Sequence, residues 1–150
     1  MRLRGTNSSS QSMETATSAD GGKTWSSASK YTVIGDNPSS RAALKISPSG
    51  RTVLAYNNAN TGRQNLTLAI SEDGGATYPH KLIIEQPQPM TSAYPDLIFD
   101  DSGNIYVFYD KGRASPGVRK ILCTKIKEVD VINNTLSTTT TYVSDKGYVA

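Results

Sequence analysis

Residues 18–25 read SADGGKTW and residues 71–78 read SEDGGATY. The two stretches share Ser, Asp, a Gly pair, Thr and a final aromatic at matching positions, and Asp20 and Asp73 stand 53 residues apart. Each has a local physical logic. The carboxylate can accept backbone N–H groups within a tight turn, the glycines can enter φ > 0, and the closing aromatic can pack under the hairpin. Ser18, Asp20, Gly22 and Trp25, and Ser71, Asp73, Gly75 and Tyr78, are therefore read as structural. A turn that closes on itself in this way says little about chemistry.

The sequence around these stretches is a series of short β-branched and aromatic runs punctuated by Gly, Asp, Asn and Ser, which are strand and hairpin signals. Strands are expected at 12–17, 31–34, 42–46, 52–56, 66–70, 81–84, 94–99, 104–109, 121–126 and 137–143. No stretch keeps a 3.6-residue apolar period, so the class is all-β. A repeat of this length filled with short strands is about one blade of a β-propeller, and it divides the chain into pieces at about 1–35, 36–90 and 91–150. A closed ring needs at least four blades. The expectation is a partial propeller of about three blades belonging to a longer protein.

Composition narrows the function classes. The 150 residues carry a net charge of +3 with scattered Lys and Arg, which argues against a nucleic-acid stripe. No apolar run reaches the ~18 residues of a membrane span. Residues 111–127 hold six basic and no acidic side chains, to be read as exposed strand faces or as an anion-binding rim. Cys123 is the single cysteine, so no internal disulfide forms and a small buried hydrophobe is expected. His80, the single histidine, is expected in an exposed loop; no histidine-based triad or metal site follows, and no cofactor is implied. The first residues, MRLRGTNSSSQS, lack the apolar core of a signal peptide, which leaves localisation open. Asn7, Asn65 and Asn133 lie in glycosylation sequons, which matter only in a eukaryotic secreted protein.

The repeated turns look like the Asp-box, or bacterial neuraminidase repeat, and the stretch from Asp36 to about Asp130 resembles the sialidase superfamily. Three pieces carry the likeness: TGR ending at Arg63, SAY ending at Tyr94, and DSGNIYVFYDKGR ending at Arg113. The resemblance implies a sialidase-type propeller and an exo-alpha-sialidase, a glycoside hydrolase acting on terminal sialic acids. Within it, Arg63 and Arg113 would grip the substrate carboxylate and Tyr94 would be the nucleophile. Asp96, two residues on, would share the face of Tyr94 in a regular strand and act as its base. The chain also departs from that pattern. No Asp or Glu occurs between Asp36 and Glu72, so Lys45 or a neighbour stands where the family places the glutamate partner of the tyrosine. The acid/base aspartate and the family's leading arginine belong to blades not represented. The reading is a fragment inactive in isolation, or alternatively a non-catalytic carbohydrate-binding propeller. Its partners would be sialylated or other anionic glycans, with self-association through open propeller faces.

Overall fold

Strand runs that are apolar at nearly every position, such as TVLAYN at 52–57 and LTLAIS at 66–71, belong to sheets covered on both faces. A computed structural model describes residues 2–4, 12–38, 40–85, 91–113 and 119–144. It contains three antiparallel sheets. The first has β1 (Arg2–Arg4), β2 (Met13–Thr15) and β3 (Ser29–Lys30). The second has β4 (Ala43–Ile46), β5 (Thr52–Asn57), β6 (Leu66–Ser71) and β7 (His80–Glu85). The third has β8 (Ser92–Phe99), β9 (Asn104–Lys111), β10 (Lys120–Lys127) and β11 (Thr138–Ser144). Each strand pairs with its neighbour in sequence, as in consecutive propeller blades.

The hairpins are set by short-range bonds. The β4–β5 turn closes with Gly50 N–H on Ser47 O at 2.9 Å, and Gly50 sits at φ +85°. The β8–β9 turn is held by Asp100, whose Oδ1 accepts the N–H groups of Ser102 and Asn104 at 3.0 Å each. Those bonds, led by that of Asn104, lower the Asp100 pKa.

Packing is face to face. Val53, Ala55, Leu66, Leu68 and Ile70 of the second sheet meet Leu97, Ile105, Val107, Tyr109 and Leu122 of the third. Leu54, Tyr56 and Ala69, on the other face, meet Met13, Tyr31 and Ile34 from the first repeat. Every residue of β5 and β6 is buried as a result.

Several expectations are corrected. Residues 31–34 are not a strand. Strand pairing ends at β3 and Tyr31, whose N–H bonds Met13 O at 2.7 Å, and Thr32–Ile34 then form a 3₁₀ turn that ends at Gly35, φ +85°. Tertiary packing overrides β propensity here, because Ile34 is buried and its carbonyl accepts the Tyr56 hydroxyl at 3.3 Å. Burial, with Tyr78 nearby, pushes that phenol up to about 12. A short helix, α1 (Glu128–Ile132), follows β10 and is too brief to show a period. Its buried Glu128 accepts Ser47 Oγ and Ser49 Oγ at 2.9 Å each, tying the third sheet to the β4–β5 turn. Strand β1 was unexpected. His80 opens β7 and is half-buried instead of lying in an exposed loop, and Cys123 is half-buried.

If sheet-on-sheet packing holds the fold, Leu97→Ala should cost about 2–5 kcal/mol, since Leu97 is 0% exposed between the second and third sheets. Leu44→Ala, at a position 37% exposed, should cost less than about 1 kcal/mol. Urea unfolding of both variants checks the contrast; equal losses would contradict it.

Candidate functional site

The two Asp-boxes lie between β2 and β3 and between β6 and β7. In the first, Asp20 Oδ1 accepts Lys23 N–H at 3.0 Å, Thr24 N–H at 2.9 Å and Ser18 Oγ at 2.7 Å, and Oδ2 accepts Thr24 Oγ1 at 2.6 Å. In the second, Asp73 accepts Thr77 N–H at 2.8 Å, Thr77 Oγ1 at 2.6 Å and Ser71 Oγ at 2.7 Å. Ser18 and Ser71 in turn accept the N–H groups of Gly22 and Gly75. The glycine pairs lie at positive φ, as the turn requires. Both carboxylates are held well below the ordinary carboxylate range, chiefly by the threonine hydroxyls and then by the threonine N–H groups. Each carboxylate oxygen accepts at least one hydrogen bond from within its own turn.

The residues with chemical potential meet elsewhere, where the β5–β6 connection approaches the start of β8. Arg63 Nη2 donates to Tyr94 Oη at 3.1 Å, and its Cζ lies 4.9 Å from the Tyr94 ring centroid. Arg113, beyond the end of β9, places its Cζ 4.4 Å from the same centroid. Two guanidinium groups therefore contact one phenol ring at cation–π distance. Arg113 also bonds Asp110 Oδ2 at 2.9 Å, which raises its pKa and keeps the guanidinium charged.

The backbone beneath this group is unusual. Tyr94 has φ +54° although it is bulky and precedes Pro95, and the β8–β9 register is broken between Ala93 and Asp96. A bulge of this kind re-aims a side chain, and the strained conformation persists only where surrounding contacts impose it. Those contacts are present. Ser92 N–H bonds Arg63 O at 3.2 Å, while Asn57 Nδ2 donates to Ser92 O at 2.8 Å and to Gln64 O at 3.2 Å. Asn57 thus fastens the Arg63 connection to the strand that carries Tyr94.

Asp96 is engaged differently from the expectation. The strand is bulged rather than regular, and Asp96 Oδ1 pairs with Lys45 Nζ at 3.2 Å and accepts Leu97 N–H at 2.8 Å. Lys45 also donates to Leu97 O. The Leu97 N–H first, then Lys45, with Arg41 contributing, lower the Asp96 pKa. Among the described residues the hydrogen-bond partner of the Tyr94 hydroxyl is Arg63, a donor, and not Asp96.

Sequence reasoning missed Asn57 and Asp110. Asn57 carries no motif, because its partners become neighbours only through sheet packing; Asp110 stands three residues before Arg113 and could have been paired with it. Of the basic run at 111–127, Lys111 is bound to Glu85 at 2.6 Å and Lys125 lies over the Tyr106 ring at 5.5 Å. Among the described residues, no group of three or more His, Cys, Asp or Glu side chains could hold a metal ion, and no helix is long and apolar enough to cross a membrane.

Sheets repeated at blade spacing, two of them carrying an Asp-box hairpin between consecutive strands, define a repeat protein of the propeller type. The chain matches the model of the BNR repeat-like domain over residues 1–107 and belongs to that family. The matched region includes both boxes, Arg63 and Tyr94, and stops before Arg113. No curated protein matches the chain.

The box carboxylates give a pH test. A folded pKa below the unfolded value of about 3.9 supplies stability that is present above the latter and lost as pH falls toward the former. Unfolding midpoints should therefore decline on acidification below about pH 5. Asp73→Asn should be less stable than wild type at neutral pH and show a shallower acid decline. Parallel curves for the two proteins would contradict this assignment.

Proposed function

We propose that the chain is part of a sialidase-type propeller in which Arg63, Tyr94 and Arg113 hold the carboxylate of a terminal sialic acid or a like anionic sugar, without turnover by this chain alone. The observation that carries the reading is the approach of two guanidinium groups to one phenol. A sialic acid bears its carboxylate on the anomeric carbon. Arginine binds carboxylates in a bidentate fork, and a neutral phenol can stand beside that carboxylate without repulsion. Tyrosine nucleophiles are the sialidase exception to the two-carboxylate scheme.

Turnover needs more than recognition. The phenol requires a base and the leaving oxygen an acid, and each such group is worth ~10²–10⁴ in rate. Asp96 is occupied by Lys45 and the Leu97 N–H. The pairing of Asp96 with Lys45 favours a second reading, a non-catalytic carbohydrate-binding propeller, because the carboxylate expected to serve Tyr94 as a base is engaged elsewhere.

Titration with a transition-state analogue of sialic acid, beside a fluorogenic sialoside assay, tests the proposal. Binding should weaken about 10–100-fold in Arg63→Ala, the loss of a charge-assisted contact. Neither wild type nor Tyr94→Phe should turn over. Turnover that Tyr94→Phe abolishes would contradict inactivity and support Tyr94 as nucleophile, and unchanged affinity in Arg63→Ala would remove the site.

A further inference from the structure

The layer between the second and third sheets is apolar along most of its length and turns polar at the end that carries the arginines. Asn57 closes β5 and shares its face with Val53 and Ala55, which meet the third sheet. Ser92 opens β8 opposite Lys111 of β9, and Lys111 reaches across to Glu85 of the second sheet at 2.6 Å. The side chains of Asn57 and Ser92 therefore enter the same layer from its two sides. Asn57 is 0% exposed and Ser92 3%.

The orientation of the Asn57 amide is fixed by its partners. Nδ2 donates to Ser92 O at 2.8 Å and to Gln64 O at 3.2 Å, and a flipped amide would set oxygen against both carbonyls. Oδ1 is thereby turned away from them. Among the described residues it has no hydrogen-bond partner, and neither has Ser92 Oγ, although both atoms are buried. An unpaired buried acceptor and an unpaired buried hydroxyl each carry a desolvation cost, which native structures avoid by pairing such groups with protein or ordered water.

We infer that Asn57 Oδ1 and Ser92 Oγ together hold a buried water between the second and third sheets. Water matches the pair chemically: it donates to the amide oxygen and either donates to or accepts from the hydroxyl, within the about two to four bonds of a buried water. An ion does not match. Both groups are uncharged, and Lys111 and Glu85, the charged residues on that side of the layer, are paired with each other. Gln64 follows Arg63 and Ser92 stands two residues before Tyr94, so the water lies between the segment that carries Arg63 and the strand that carries Tyr94. Both walls of its seat are sheets of this chain, and the seat does not depend on what the arginines bind.

A high-resolution crystal structure of the chain should place one water within hydrogen-bond distance of both atoms. A dry layer, or a Ser92 hydroxyl bonded directly to the Asn57 amide oxygen, would overturn the proposal. In solution, magnetic relaxation dispersion of the water oxygen counts long-lived internal waters and is blind to exchanging hydroxyl protons. Ser92→Ala removes the hydroxyl and keeps the backbone bonds of residue 92, so the dispersion amplitude should fall by that of one water. The thermal midpoint should fall by about 2–4 °C, the effect of losing one ordinary hydrogen bond in a chain of this size. An unchanged amplitude in that variant would overturn the proposal even with a lower midpoint, since truncation alone can lower the midpoint. Should Ser92→Ala lose its strand signal in circular dichroism, the wild-type crystal structure decides the question.

Discussion

A four-stranded sheet that is apolar on both faces cannot stand in water by itself, and that constraint organises the molecule. β5 and β6 are buried at every position because Met13 of β2 and the connector residues Tyr31 and Ile34 cover Leu54, Tyr56 and Ala69, while the third sheet covers Val53, Leu68 and Ile70. The hydrophobic contribution is roughly proportional to the apolar area withdrawn from water, so stability belongs to pairs of sheets more than to single ones. Inside each repeat the Asp-box does a separate task. It fixes the hairpin with bonds that need no partner sheet, leaving the strand faces free to stack.

The site inherits its geometry from that stacking. Arg63 comes from a connection in the second sheet, Tyr94 from the first strand of the third and Arg113 from beyond its second strand. They meet because Asn57 and Ser92 tie the two sheets together at this end, and the bulge at Ala93 and Asp96 turns Tyr94 toward the arginines. At the other end, Glu128 with Ser47 and Ser49 makes a second polar tie between the same sheets. Relative motion of the sheets would therefore change the spacing of the guanidinium groups, so the geometry of this cluster is linked to the integrity of the sheet interface.

What the sequence made legible was local. The Asp-boxes could be read because their bonds span no more than four residues, as from Asp73 to Thr77. The strands of the second and third sheets could be read because apolar runs between turn residues survive without knowledge of their neighbours. The 3₁₀ turn at Thr32–Ile34 could not, because β-branched residues favour a strand until Ile34 has somewhere to pack. The same holds for the site. Arg63 and Tyr94 were singled out from short motifs, whereas the Lys45–Asp96 pair and the Asn57 tie bridge 51 and 35 positions' worth of chain folding that no local pattern encodes. Trp25 and Tyr78 show the limit of the repeat as a guide: the same box position is half exposed in one and buried in the other, where Tyr31 lies against it.

The central claim is that the second sheet is held from both sides and is the most stable part of the array. Native-state hydrogen exchange under mild denaturant measures this directly, because amides that open only on global unfolding are distinguished from those released by local opening. The account predicts that the amides of β5 and β6 exchange last and with the global unfolding free energy, while those of β2, β3 and the outer strands of the third sheet exchange earlier. Exchange of β5 and β6 ahead of the third sheet would contradict it.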